Sequence, residues 1–154
     1  MKLKIGIILI AGIMISCATE TKKSEMQNSN SIVGTWQLFS ATSTEKDKTI
    51  STYKAGHKMI KIINNTHFAF FEHDLTNGKD TTDIAFTAGG GTYTLVDSIY
   101  KENLEYCNYR EWENNSFQFV VKIQNDTLTQ KGIEKIEKLG IERVIVEKYK
   151  RLRN

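Results

Sequence analysis

The run Ser116-Phe117-Gln118-Phe119-Val120-Val121-Lys122-Ile123-Gln124, followed by Asn125-Asp126 and then Thr127-Leu128-Thr129-Gln130, decides the fold class. Phe117, Phe119, Val121 and Ile123 fall on one side of an extended chain, with Gln118 and Lys122 on the other. That period of two belongs to a half-buried strand. Asn125-Asp126 then offers two residues that tolerate left-handed backbone, so the chain can turn back on itself as a hairpin.

The same pattern recurs from Gly34 onward, and it predicts roughly nine strands, near 34–42, 57–63, 66–74, 81–87, 91–97, 99–107, 116–124, 127–132 and 141–151. Asn64-Asn65, Asn77-Gly78 and Asp97-Ser98 separate consecutive runs as turns. Phe68 and Phe70 alternate with His67 and Ala69, Tyr93 and Leu95 with Thr92 and Thr94, and Tyr100, Leu104 and Tyr106 with Lys101, Asn103 and Glu105. Aromatic side chains therefore crowd the expected inner face.

Sequential hairpins make a meander, and a meander escapes two aggregation-prone edges by closing. The expected class is all-β, an up-and-down antiparallel meander closed into a barrel of about eight strands, wide enough to be filled by side chains or to hold one small ligand. Ser43 to Tyr53 and Ile133 to Leu139 also admit short helical turns, but neither is long enough for an α/β unit. Gly89-Gly90-Gly91 reads either as a bulge in the wall or as a loop. None of the 154 residues is proline, so no strand lacks an N–H for its ladder. With 40% apolar and 25% charged residues the chain has globular proportions, and its length suits one domain over 33–154.

The N-terminal segment reads separately. Lys2 and Lys4 precede an apolar stretch from Ile5 to Ile15, too short to span a bilayer and typical of an export signal over 1–16. Met14-Ile15-Ser16-Cys17 resembles a bacterial lipobox, which implies that Cys17 is lipidated and becomes the new N-terminus. An ordinary secretory signal with an incidental cysteine is the other reading. Residues 17–32 are polar and aperiodic, as a flexible tether would be. Ala18 after the cysteine, by resemblance to Gram-negative sorting, points to an outer-membrane lipoprotein on the periplasmic or surface face. Loss of Lys2 and Lys4 lowers the formal net charge from +3 to +1, which removes the electrostatic basis for nucleic-acid binding.

Gly34-Thr35-Trp36 at the opening of the first strand resembles the lipocalin start, in which an indole closes one end of the barrel beneath an arginine of the last strand. Arg151, or alternatively Arg143, could supply that arginine through a cation–π contact. A closer similarity is to lipocalin-like lipoproteins of Gram-negative bacteria, carried by Gly34-Thr35-Trp36-Gln37-Leu38, Asn65-Thr66-His67-Phe68, Gly89-Gly90-Gly91-Thr92-Tyr93-Thr94-Leu95, Glu105-Tyr106 and Asp126-Thr127-Leu128-Thr129-Gln130. Tyr149 and Leu128 stand where such proteins often carry tryptophan. The resemblance implies a barrel and is compatible with small-molecule binding, and it implies no reaction.

The candidate ligand-binding residues are Trp36, Phe68, Phe70, Tyr93, Tyr106, Phe119, Leu128, Tyr149 and Arg151, with Cys17 as lipid anchor. They describe equally a mostly apolar pocket and a filled core. Tyr149 and Arg151 share a strand face, so they could either orient a polar head group or be divided between the core and the cap over Trp36. His67 and His73 are too far apart on one straight strand to share an ion, so no metal and no cofactor is expected. Cys107 has no base near it in sequence, and Ser40 and Ser116 lack a nucleophile elbow, so no enzyme is expected. Trp112 reads either as packed on the barrel rim or as part of a lid or partner contact. The expected partners are a small apolar or amphipathic molecule and the membrane, reached through the N-terminal lipid. The alternative is a protein-interaction or envelope-structural module with a filled barrel, making contacts through loops at 43–56 and 108–115.

Overall fold

The computed structural model describes residues 31–79 and 86–153. It contains nine strands: β1 (Gly34–Glu45), β2 (Lys48–Ser51), β3 (His57–Ile63), β4 (His67–Asp74), β5 (Phe86–Val96), β6 (Ile99–Cys107), β7 (Asn115–Gln124), β8 (Thr127–Ile136) and β9 (Ile141–Leu152). All neighbours are antiparallel, in the order β2-β1-β3-β4-β5-β6-β7-β8-β9, and β1 pairs again with β9. That last pairing closes an eight-stranded barrel consistent with a lipocalin-like fold. The ninth strand, β2, extends the wall along the far half of β1, from Thr42 to Glu45.

Local chemistry explains the turns. Lys46 and Asp47 between β1 and β2, and Asn125 and Asp126 between β7 and β8, all carry positive φ, as a two-residue hairpin needs to match strand twist. Asn64 Oδ1 accepts hydrogen bonds from the backbone N–H of Thr66 and of His67, closing the β3–β4 turn. Asp74 Oδ1 similarly accepts from the N–H of Thr76 and of Gly78, ahead of the Asn77-Gly78 turn.

Three boundaries differ from the sequence reading. Lys48–Ser51 is a strand, where helix had been an option for 43–53; the positive-φ pair at Lys46-Asp47 folds the segment back onto β1. The last part of the 133–139 stretch is a 3₁₀ turn, Glu137–Leu139, while β8 itself runs on to Ile136 because β9 supplies a ladder partner to that point. The two strands expected at 81–87 and 91–97 are one continuous strand from Phe86, with residues 80–85 lying outside those described. Residues 1–30, including the signal and Cys17, lie outside them too.

The triple glycine lies opposite a bulge on β6. Gly90 faces Tyr106 and Gly91 faces Leu104, so Glu105 is the extra residue on β6, and its carboxylate folds back to accept from the Thr92 N–H and hydroxyl. A bulge shifts the side-chain parity beyond it by one position. Tyr106, expected inside with Tyr100 and Leu104, is therefore turned out and 67% exposed, and Cys107 is turned in. A Cβ on Gly90 would sit 2.6 Å from the Phe68 carbonyl oxygen, and one on Gly91 would overlap the Asn103 carbonyl. Because these neighbours are backbone, Gly91→Ala should cost about 3 kcal/mol, at the top of the usual overpacking range. Gly56, with open space around its Cα, serves as the control: Gly56→Ala should stay within about 0.5 kcal/mol of wild type in urea unfolding.

Trp36, Ile63, Phe68, Tyr100, Leu128 and Tyr149 are almost fully buried and form the packed half of the interior. Phe117, Phe119 and Val121 are also buried, and Gln118 and Lys122 are exposed, as their alternation predicts. Among the described residues no helix is long and apolar enough to cross a membrane.

Candidate functional site

One end of the barrel is sealed. The Trp36 indole N–H donates to the Ile32 carbonyl at 2.8 Å, and the Arg151 guanidinium lies 4.0 Å from the indole ring centre. Arg151 also donates to the carbonyls of Val33 and Ser31 and forms an ion pair with Asp126. It thus ties the segment before β1 to the end of β9, which explains why β1 starts where it does.

Above this cap the interior opens into a cavity of about 400 Å³, at the lower end of small-ligand pocket volumes. Leu38, Phe70, Leu104, Phe117, Phe119 and Ile145 give it apolar walls. Tyr109 and Trp112 stand at its rim, with Trp112 packed against Phe117 and beneath the Arg143 guanidinium, 5.6 Å from its ring. The rim-packing reading of Trp112 therefore holds.

A chain of polar side chains crosses the cavity floor. Lys61 Nζ donates to Glu102 at 2.8 Å and to Gln130 at 3.1 Å. Gln130 Nε2 donates in turn to Glu147 at 3.4 Å, and the Tyr149 hydroxyl donates to the same Glu147 oxygen at 2.6 Å. Lys61 and Glu102 are 3% and 6% exposed, so this ion pair is shielded from water. The ammonium also lies 5.4–6.0 Å from the ring centres of Phe68, Tyr100 and Tyr149, within range of cation–π attraction. Nearer the rim, Arg143 pairs with Glu134 at 2.7 Å and His57 with Glu72 at 3.0 Å.

Burial pushes the Glu147 carboxyl up from its ordinary value near 4.5, opposed by Lys61 and the Tyr149 hydrogen bond and reinforced by the nearby Glu134 and Glu102. Tyr149 is likewise pushed up, first by burial and then by the charge of Glu147, which keeps its phenol a donor. The Cys107 thiol, buried beside the cavity, is raised by desolvation. For Glu147 the folded state holds the proton more tightly than the unfolded chain does. Its contribution to stability is thus full below pH 4.5 and is lost as pH climbs through the higher folded value. Glu147→Gln should therefore gain stability relative to wild type between pH 4 and pH 7, measured by urea midpoints; a constant difference across that interval would contradict the assignment.

Of the residues singled out from sequence, Phe70, Phe119 and Tyr149 line the cavity. Trp36, Phe68 and Leu128 pack in the core instead, and Arg151 belongs to the cap, so the structure does not bring Arg151 and Tyr149 to one head-group position. Tyr93 packs tilted against Tyr100, ring centres 5.1 Å apart, and donates its hydroxyl to the Asn64 carbonyl, outside the cavity lining. Tyr106 faces outward because of the Glu105 bulge. Missed were Lys61, Glu102, Gln130 and Glu147. Each sits two residues from an inward apolar neighbour, Ile63, Leu104, Leu128 and Tyr149 in turn, so strict alternation was the signal that could have found them. Among the described residues no group of three or more His, Cys, Asp or Glu side chains is placed to hold a metal ion.

Comparison with protein-family models, with curated proteins and with solved structures finds no match to this chain.

Proposed function

We propose that this chain is an envelope lipoprotein whose barrel binds a small amphipathic molecule, with no catalytic step. The observation that carries the reading is the cavity of about 400 Å³ above the Trp36 cap, in which aromatic and aliphatic walls meet a polar floor. An apolar body gains by leaving water for the space beside Phe70, Phe117 and Phe119, while the floor supplies the few polar groups that fix orientation. The sequence around Cys17 supports a lipid tether that would hold such a binder at the membrane.

Binding is tested with N-phenyl-1-naphthylamine, a neutral probe that fluoresces when desolvated, added to the chain carrying Cys17→Ser. Saturable fluorescence is expected, and Ala41→Phe, which fills the cavity from its wall, should weaken it about tenfold or more. No saturable signal would sink the binding reading. Labelled palmitate should enter the wild-type chain in bacteria and not the Cys17→Ser chain; equal labelling of both would sink the tether.

The second reading, a protein-interaction module, is favoured by the outward apolar side chains of Ile62, Phe71 and Tyr106 on β3, β4 and β6, which are 41%, 42% and 67% exposed.

A further inference from the structure

We infer that the head group selected by this cavity is a cation of the primary alkylammonium type, received by Glu147. The inference deepens the binding reading above and rests on it.

The charges that line the cavity do not balance. Lys61 and Arg143 are its cations, and Glu72, Glu102, Glu134 and Glu147 its carboxylates. Lys61 is committed to Glu102, Arg143 to Glu134, and Glu72 to His57. Glu147 is left, among the described residues, without an ion-pair contact, the charge of Lys61 acting on it only from beyond that contact. Its Oε2 accepts from Tyr149 and Gln130, and neither donor carries a full charge. Desolvation raises the energetic cost of an unpaired carboxylate, so a ligand that brings its own positive charge gains most at this position.

The alternatives fare worse on the same geometry. An anionic head would find both cations already paired and would approach four carboxylates. A neutral alcohol could hydrogen-bond to Glu147 without relieving its charge. A primary ammonium presents three N–H donors, one for the Glu147 carboxylate, while the Tyr149 ring offers a π face. The barrel already shows that an ammonium is compatible with this floor: Lys61 Nζ sits 5.4 Å from the centre of that Tyr149 ring. The hydrocarbon tail would then lie along Phe70, Phe117 and Phe119 toward the rim at Trp112.

The test compares three probes of one tail length, octylamine, 1-octanol and octanoate, as competitors of N-phenyl-1-naphthylamine on the Cys17→Ser chain at pH 7. Octylamine should compete about tenfold better than 1-octanol, as a charge-assisted hydrogen bond predicts, and octanoate should compete worst. Glu147→Gln should reduce the amine-to-alcohol ratio to about threefold or less, with thermal melting confirming that the variant is folded. Equal competition by octylamine and 1-octanol on the wild-type floor, or preference for octanoate, overturns the cation assignment while the cavity remains a binding site. If N-phenyl-1-naphthylamine itself does not bind, the binding reading fails and the cation assignment with it. Because the wild-type ranking alone decides the selectivity, a misfolded variant would not rescue the proposal.

Discussion

Lys61→Met should destabilise the barrel by about 3–5 kcal/mol, because it leaves the Glu102 carboxylate buried without its cation. The lysine ammonium also donates to Gln130 and lies within reach of three aromatic rings, so its removal unravels the floor rather than one contact. A buried ion pair is nonetheless a poor source of net stability, since desolvating both charges offsets most of their attraction. The double change Lys61→Met with Glu102→Leu should therefore recover most of the loss, to within about 1–2 kcal/mol of wild type. Urea unfolding of the wild type, both single variants and the double variant gives the coupling directly. Additive losses in the double variant would show that the two side chains do not act as a pair.

Trp36→Ala should cost a similar amount for a different reason. The indole is fully buried, and truncating so large an aromatic costs about 3–5 kcal/mol in lost burial and cavity formation. Two further losses add to it: the cation–π contact with Arg151, at about 0.5–2 kcal/mol, and the hydrogen bond that holds the Ile32 carbonyl. Trp36→Phe keeps a ring beneath the guanidinium and loses the indole donor, so it should cost less, about 2 kcal/mol. Because Trp36 and Arg151 lie in the cap and do not line the cavity, Trp36→Phe should leave N-phenyl-1-naphthylamine affinity within about twofold per folded molecule. A tenfold loss of affinity in a well-folded Trp36→Phe chain would place the indole in the binding machinery after all.

Much of the wall was legible because strands repeat every two residues and their turns need special backbone. Phe117 to Ile123 announced one strand outright, and the Asn-Asp, Asn-Asn, Asp-Ser and Asn-Gly pairs each fall at a turn in the structure. The cap was legible as well, since Trp36 and Arg151 prove to be direct register partners across β1 and β9. The floor was harder to read. A search for apolar side chains passes over Lys61, Glu102, Gln130 and Glu147, although each lies on the inward parity of its own strand. Only when four strands converge do these residues meet, and no single strand contains both members of the Lys61–Glu102 pair.

Tyr106 shows the opposite failure. Its parity from Tyr100 is inward, yet one unpaired residue at Glu105 reverses it, where Gly91 of β5 lies against the Asn103 carbonyl and the Glu105 N–H of β6.

Alone, the order of residues determined an all-β antiparallel meander and its turn positions, because periodicity and turn chemistry are local properties of the chain, while the aromatic stopper at one end was implied by the resemblance of Gly34-Thr35-Trp36 to the lipocalin start. Tertiary structure decided which parity survives each bulge, that space remains above the stopper, and which cavity carboxylate lacks an ion-pair contact. Those quantities depend on distances between side chains brought in from different strands, and such distances exist only once β1 has met β9.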